Sequence, residues 1–283
     1  MTYSTDSTYL LGETSAEHER LIRQAHIFGP FTERLFRDAG VGTGQRVLDV
    51  GSGVGDVALL AARLVGPSGA VIGVERDPNS VATASSRASA AGLANVRFIQ
   101  GEVGSVTNTE AFDAVVGRFI IEFLPDAGAV MRSLASVLRP GGVMAFQDAC
   151  WSTWLDLNQG YSLRGKCVSL IHRAFACSGA HMDMDRVLFR AIQEAGLPSP
   201  TMRIEVPIGD DPNIVRYAYD LFSTLLPRMR EYGLSLNDVG DLETLNSRLE
   251  AERVAARAFA STQALVRAIS ERIESWEGFP NRL

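Results

Sequence analysis

Cysteine is scarce in this chain: Cys150, Cys167 and Cys177 are the only three in 283 residues. Their odd number and the lack of a C-x-x-C spacing exclude a disulfide framework and a cysteine-based zinc site, and they suit a reducing compartment. Histidine is nearly as rare, with four residues, and their spacing suggests no metal. Runs of Lys and Arg are absent as well. With a net charge of −6 and no basic patch, the chain repels phosphate backbones and anionic lipid, so neither nucleic acid nor a membrane surface is expected as a partner. No uninterrupted apolar run approaches the roughly 18 residues needed to span a bilayer. The start, Met1 to Asp6, has neither the basic flank nor the apolar core of a secretory signal. The expectation is a cytoplasmic protein, monomeric or homodimeric. No internal repeat or low-complexity tract is visible.

What is present is ample core material, with 46% hydrophobic residues, enough for one large α/β domain or a standard domain with an elaboration. Thr14-Ser15-Ala16-Glu17 has the form of a capping box and starts a helix with Leu21, Ile22, Ala25 and Phe28 on one face. Gly29-Pro30 is expected to interrupt it, a second short helix then running to Gly40. From Val47 to Asp148 strands and helices alternate, with strands at 46–50, 70–75, 95–100, 112–117 and 142–148 and helices at about 55–65, 78–91 and 127–138. That rhythm predicts a doubly wound, Rossmann-like, mostly parallel sheet covered on both faces. After Cys150 come aromatic-rich helices at about 156–177 and 183–195, a strand at 201–208, a helix at 212–232, an amphipathic charged stretch at 238–260 and a final strand, 264–272, pairing with 201–208. Three regions follow: a helical arm at 1–40, an α/β core at 41–150, and a helical cap at 151–283 that also returns strands to the sheet. The arm and the inserted helices would form a lid.

The stretch Arg46-Val47-Leu48-Asp49-Val50-Gly51-Ser52-Gly53-Val54-Gly55-Asp56 anchors the chemistry. An apolar strand ends in glycines that let backbone N–H groups approach a ligand at the start of a helix. A plain tight turn would look similar, so the neighbouring acids decide. Glu75 stands at the end of the second strand, about 20 residues beyond the last glycine, where a carboxylate can accept hydrogen bonds from both hydroxyls of a ribose. Asp49 lies inside an otherwise apolar strand, where a buried carboxylate is costly without a partner. A dinucleotide site prefers an apolar residue there and a G-x-G-x-x-G turn, yet Asp56 stands where the last glycine would fall. The ligand these acids suit carries an ammonium group.

With these residues in hand, the chain resembles the class I S-adenosylmethionine-dependent methyltransferases over roughly residues 40–150. The likeness includes Val47 to Gly55, Glu75, Gly101-Glu102-Val103 after the third strand, Phe112 to Arg118 as the fourth strand, and Leu138-Arg139-Pro140-Gly141-Gly142 before the fifth. The resemblance implies S-adenosylmethionine as cofactor, with S-adenosylhomocysteine as its product. It also implies a site in which Asp49, Gly51, Ser52, Gly53 and Asp56 belong to the cofactor-binding turn, Gly51 and Gly53 lying beneath the methionine portion. Glu75 would hold the ribose, and Arg76 would flank the adenine opposite Glu102 and Val103. The family usually has aspartate where Glu102 stands. Gly117, Arg118 and Phe119 would line the floor, although Arg118 fits an ion pair with Glu122 equally well.

A methyl sulfonium is already a reactive electrophile, so the protein must mainly align the acceptor and exclude water. A base is needed only where the accepting atom must lose a proton. His172, Asp148 and Glu122 are the candidates, each also explicable by packing or exposure; His172 is preferred to His181 for its apolar helical setting. Tyr9, Trp151, Trp154, Tyr217 and Phe222 suit an acceptor pocket for an aromatic, terpenoid or polyketide-like small molecule, while a helical core is the other use for them. The alternatives are a methyltransferase acting on protein or RNA, or a non-catalytic ligand-binding protein of the same fold.

Overall fold

The computed structural model describes residues 10–11, 15–105 and 111–272. By its internal packing the chain divides into two compact units, each built from several stretches of sequence. One holds residues 28–150, 183–205 and 264 onward, and the other residues up to 27 together with 151–182 and 206–263. The segment after residue 150 is therefore not one block, since 183–205 and 264–272 belong with the sheet.

The first unit is organised on a seven-stranded sheet formed by β1 (Arg46–Val50), β2 (Ala70–Glu75), β3 (Val96–Gln100), β4 (Phe112–Arg118), β5 (Leu138–Cys150), β6 (Thr201–Glu205) and β9 (Ala264–Glu271). Their order is β3-β2-β1-β4-β5-β9-β6. β1 pairs in parallel with β2 and β4, and β2 with β3 and β4 with β5 likewise. Only β9 runs antiparallel, between β5 and β6. The helices α2 (Asp56–Val65), α3 (Pro78–Ala90), α4 (Ala127–Ser136) and α7 (Met184–Glu194) connect and cover the strands. Strand order reverses between β1 and β4, and in such sheets the crevice outside the carboxyl ends at that point takes the ligand. The core is the apolar run of β1, β2, β4 and β5 packed on α2: Val47, Val71, Ala114, Val116 and Ala145 meet Val57, Ala58, Ala61, Ala62 and Val65. Continuous apolar strands such as Ala114 to Val116 and Val143 to Phe146 are what burial on both faces requires.

The fold agrees with the sequence reading, including the last strand on β6, and four element boundaries differ. Helix α1 (Ser15–Asp38) runs through Gly29-Pro30 without ending. A proline removes one helical hydrogen bond, and the burial of Phe28, Leu35 and Phe36 around it outweighs that loss. The helix expected over 156–177 is two, α5 (Trp151–Asn158) and α6 (Ser162–Cys177). The second starts because Glu252 receives Ser162 Oγ and the amides of Leu163 and Arg164, each at 2.8 Å, a cap supplied from far along the chain. The strand expected at 201–208 stops at Glu205, because Pro207 has no N–H for the ladder, and Ile208–Gly209 (β7) pairs instead with Ala260–Ser261 (β8). β5 begins at Leu138, so the preceding helix ends at Ser136.

The other unit packs α5, α6, α8 (Pro212–Glu231), α9 (Leu245–Ala255) and the first part of α1. Trp151 stacks on Phe175 with centroids 4.1 Å apart, and Trp154 lies 5.8 Å from Tyr217. Arg23 of α1 meets Asp220 of α8 at 2.9 Å.

Candidate active site

At the carboxyl end of β1 the chain turns through Gly51, Gly53 and Gly55 with φ of 66°, 51° and 91°. Side chains other than glycine rarely adopt that conformation. Close packing adds a second requirement: a Cβ on Gly51 would lie 2.5 Å from Ile120 Cδ1, and one on Gly55 2.8 Å from Phe98 Cζ. The turn is pinned to β2 by Ser52, whose amide donates to Val74 O at 3.0 Å. Asp56 opens α2 and is gripped by Arg87 of α3 at 2.6 Å, while the same guanidinium reaches Val54 O at 2.5 Å.

Glu75 ends β2 beside this turn. Its Oε2 accepts the Gly53 amide at 2.9 Å and its Oε1 the Asp77 amide at 3.0 Å. A carboxylate offers about four acceptor positions, so the two protein donors orient Glu75 and leave capacity for hydroxyl groups. Asp77, which the sequence reading passed over, caps α3 through the amides of Asn79 and Ser80. The Asp-Pro pair is the usual mark of such a helix start. Gly101 donates to Glu75 O at 2.9 Å, which brings the following turn alongside. Arg76 is half-buried, Val103 buried and Glu102 exposed.

Asp49 is 1% exposed, and neither carboxylate oxygen has a hydrogen-bond partner. Burial pushes its carboxyl well above the usual carboxylate range, and the charge of Arg118 and the nearby backbone N–H of Ala58 counter this only in part. A buried acid short of partners beside a glycine turn is the arrangement a cationic ligand would complete. Ser52 Oγ is likewise buried without a partner. With Glu75 available for a diol, these residues fit S-adenosylmethionine, whose ammonium and sulfonium groups are cationic and whose ribose carries two hydroxyls.

At the ends of β4 and β5, Gly117, Arg118 and Phe119 are joined by residues from distant parts of the chain. Gly117 is required because a Cβ there would meet Phe146 at 2.8 Å and Ile120 at 3.0 Å. Arg118 donates to Thr32 Oγ1 at 3.0 Å, and that hydroxyl lies 2.8 Å from Gln147 Oε1. Thr32, Gln147 and Ile120 gave no mark in the sequence, since each acquires its place from distant residues. Phe119 holds φ of 55° without being glycine, with its ring edge against Phe28 at 5.1 Å.

Two of the three candidate bases come together here. Glu122 and Asp148 are 2% and 0% exposed, and the Glu122 amide donates to Asp148 Oδ1 at 3.3 Å. Burial, with the Glu122 carboxylate beside it, pushes Asp148 well above the ordinary carboxylate range. His172 is half-buried on α6 of the other unit. In that unit Trp151, Trp154, Tyr217 and Phe222 are buried in the helical core, with Trp154 Nε1 donating to Ser261 O at 3.0 Å. Tyr9 lies outside the described residues. Among the described residues no group of three or more His, Cys, Asp or Glu could hold a metal ion, and no helix is long and apolar enough to cross a membrane.

Comparison with known proteins matches residues 42–187 to a family described as a methyltransferase domain. The chain is 35% identical over 135 residues to an arsenite methyltransferase of Aquipseudomonas alcaligenes, covering 44% of this chain and 39% of that protein. It is 32% identical over 145 residues to the aklanonic acid methyltransferase of a Streptomyces species, covering 51% and 65%. The chain thus spans less than two thirds of the length of either relative. Its fold is similar to that of the geranyl diphosphate C-methyltransferase of Streptomyces coelicolor, with a TM-score of 0.54, 17% identity and coverage of 96% and 94%. The family match spans just over half of the chain, and it coincides with the sheet order and the glycine turn described above. The chain belongs to the methyltransferase domain family, within the class I S-adenosylmethionine-dependent superfamily.

Proposed function

We propose that this protein transfers the methyl group of S-adenosylmethionine to a small, largely apolar acceptor of aromatic, terpenoid or polyketide-like character. The observation that carries the donor half is Asp49, a buried carboxylate without a partner at the carboxyl end of β1, beside a turn of three left-handed glycines. The acceptor half rests on the aromatic-rich composition of the segments after Cys150 and on the three compared proteins, all named for small molecules.

The cofactor supplies an electrophilic methyl carbon, which passes to a lone pair or carbanion of the acceptor as the sulfonium becomes a thioether. The residues of the chain bind and orient. Glu75 holds the ribose hydroxyls, Asp49 answers the positive charge, Gly51, Ser52 and Gly53 line the methionine portion, and Arg76, Glu102 and Val103 border the adenine. Gly117, Arg118 and Phe119 form the floor, where water must be excluded for the nucleophile to be aligned. Where the acceptor loses a proton, Glu122 or His172 is the group to take it.

Calorimetric titration with S-adenosylmethionine, S-adenosylhomocysteine and NAD tests the donor half. Binding of the first two and not of NAD is expected, and binding of NAD alone would sink the proposal. Glu75→Ala should weaken cofactor binding by about 1–3 kcal/mol through the lost charge-assisted hydrogen bonds, and unchanged affinity would remove it from the ribose. Incubating the enzyme with candidate acceptors and scoring the mass gain of one methyl group tests the other half.

A further inference from the structure

The turn after β4 is held in a strained conformation from one side. Phe119 sits at φ 55°, a region that costs a non-glycine residue energy. Its amide donates to Gln147 O at 2.9 Å, and three residues on the Glu122 amide donates to Asp148 Oδ1 at 3.3 Å. Successive residues of β5 thus grip both ends of Phe119 to Glu122, and the amides of Ile120 and Ile121 also favour the Asp148 carboxylate. Between the grips, Ile120 projects its side chain onto the backbone of Gly51. The space a Cβ of Gly51 would need is taken by Ile120 Cδ1, Cγ1 and Cβ, and that of Gly117 by Ile120 Cγ2.

We propose that Asp148 is a positioning residue: by holding the backbone of residues 120–122 it seats Ile120 against Gly51 and so sets the shape of the cofactor-binding turn. This rests on the reading of that turn as the S-adenosylmethionine site. The role explains why an acid fully buried at the end of β5, with Oδ2 lacking a partner, is tolerated: its other oxygen orders a turn that the fold alone leaves strained. It also separates Asp148 from Glu122 and His172, because the work is done through Ile120 and not on the acceptor. Burial and the neighbouring Glu122 favour the protonated form, and a protonated acid keeps a carbonyl oxygen to accept the Glu122 amide. An asparagine side chain has the same outline and the same acceptor.

The experiment is a double-mutant cycle on the full chain, read by calorimetric affinity for S-adenosylhomocysteine. Asp148→Ala and Ile120→Ala should each weaken binding about tenfold, the scale of a lost buried hydrogen bond or a small cavity. The double variant should be no weaker than either single one, since both remove the same support. Asp148→Asn should recover most of the affinity lost in Asp148→Ala. Should Asp148→Ala fail to fold, Asp148→Leu fills the volume without an acceptor and carries the same expectation. Additive losses, affinity within twofold of wild type in Asp148→Ala or Asp148→Leu, or no recovery with asparagine would overturn the positioning role. Failure of the wild-type protein itself to bind S-adenosylhomocysteine would instead overturn the reading of the site.

Discussion

Two buried ionisable groups, one in each compact unit, show how the same cost is met in opposite ways. Arg164 on α6 is 4% exposed, and burial pulls its guanidinium down to about 10, still charged at neutral pH. Its Nε donates to Asn158 Oδ1 at 2.8 Å and its Nη2 to Ser261 O at 2.7 Å, and Asn158 and Trp154 reach the same segment of chain. Asp49 on β1 is equally buried and its oxygens have no partner. A buried charge supplied with partners holds a fold together, and one left without them marks a place that a ligand completes. The arginine belongs to the architecture of the helical unit, and the proposed function gives the aspartate to the chemistry of the sheet.

Removing each charge should therefore act on a different property. Arg164→Met strips the donors from Asn158 Oδ1 and Ser261 O inside a packed helical core and should lower unfolding free energy by about 3 kcal/mol, measured in urea. An unchanged midpoint would mean that the network contributes nothing. For Asp49→Asn, stability should hold or rise by about 1 kcal/mol, because an unpartnered acid is lost, while affinity for S-adenosylmethionine falls at least tenfold with the lost charge. A fall in stability comparable to that of the arginine variant would make Asp49 a structural residue and end the contrast.

The same contrast explains what could be read from the sequence. The glycine turn, Glu75 and the alternation from Val47 to Asp148 were legible because each depends on neighbours a few residues away: backbone sign at Gly51, Gly53 and Gly55, strand length, and apolar runs. The residues that complete the site were not. Thr32 meets Gln147 across 115 positions, and Ile120 gains its meaning only from Gly51 in another strand's turn. In the helical unit the start of α6 depends on Glu252, about 90 positions away, so the sequence offers one helix where there are two. Pro30 misled for a related reason, since local chemistry breaks a helix there and tertiary burial of Phe28, Leu35 and Phe36 keeps it whole.

The unpartnered acid also predicts a pH dependence that begins in the acid range, where the arginine, pulled down only to about 10, stays charged. Asp49 titrates higher in the folded chain than the value of about 3.9 it has when unfolded. As pH rises past that value the unfolded chain releases its proton first, the native state binds more protons, and stability falls until the folded pKa is passed. A bound cation reverses the preference, so cofactor affinity should rise with pH over that window, with a proton released on binding. Arg118, Glu75 and Asp56 are the charged groups acting on it, the arginine favouring release and the two acids opposing it. Calorimetry in two buffers of different ionisation enthalpy measures the proton; equal heats in both would remove Asp49 as its source, and Asp49→Asn should abolish any difference.

The smallest effect is expected at Asp56, which the sequence places in the cofactor-binding turn and the structure gives to Arg87. That pair is largely shielded, with the carboxylate 12% and the guanidinium 26% exposed, and the arginine also reaches Val54 O. Asp56 thus steadies the glycine turn from behind, through α3, and at the start of α2 it complements the helix dipole. Asp56→Asn keeps an acceptor for Arg87 and loses only the charge, so stability should fall by no more than about 1 kcal/mol. Cofactor affinity should stay within about twofold, since the turn is still anchored by the Ser52 amide on Val74 O. A tenfold loss of affinity with stability unchanged would mean that Asp56 meets the cofactor directly, and the buried acid of β1 would then share the answering of positive charge with the acid that opens the next helix.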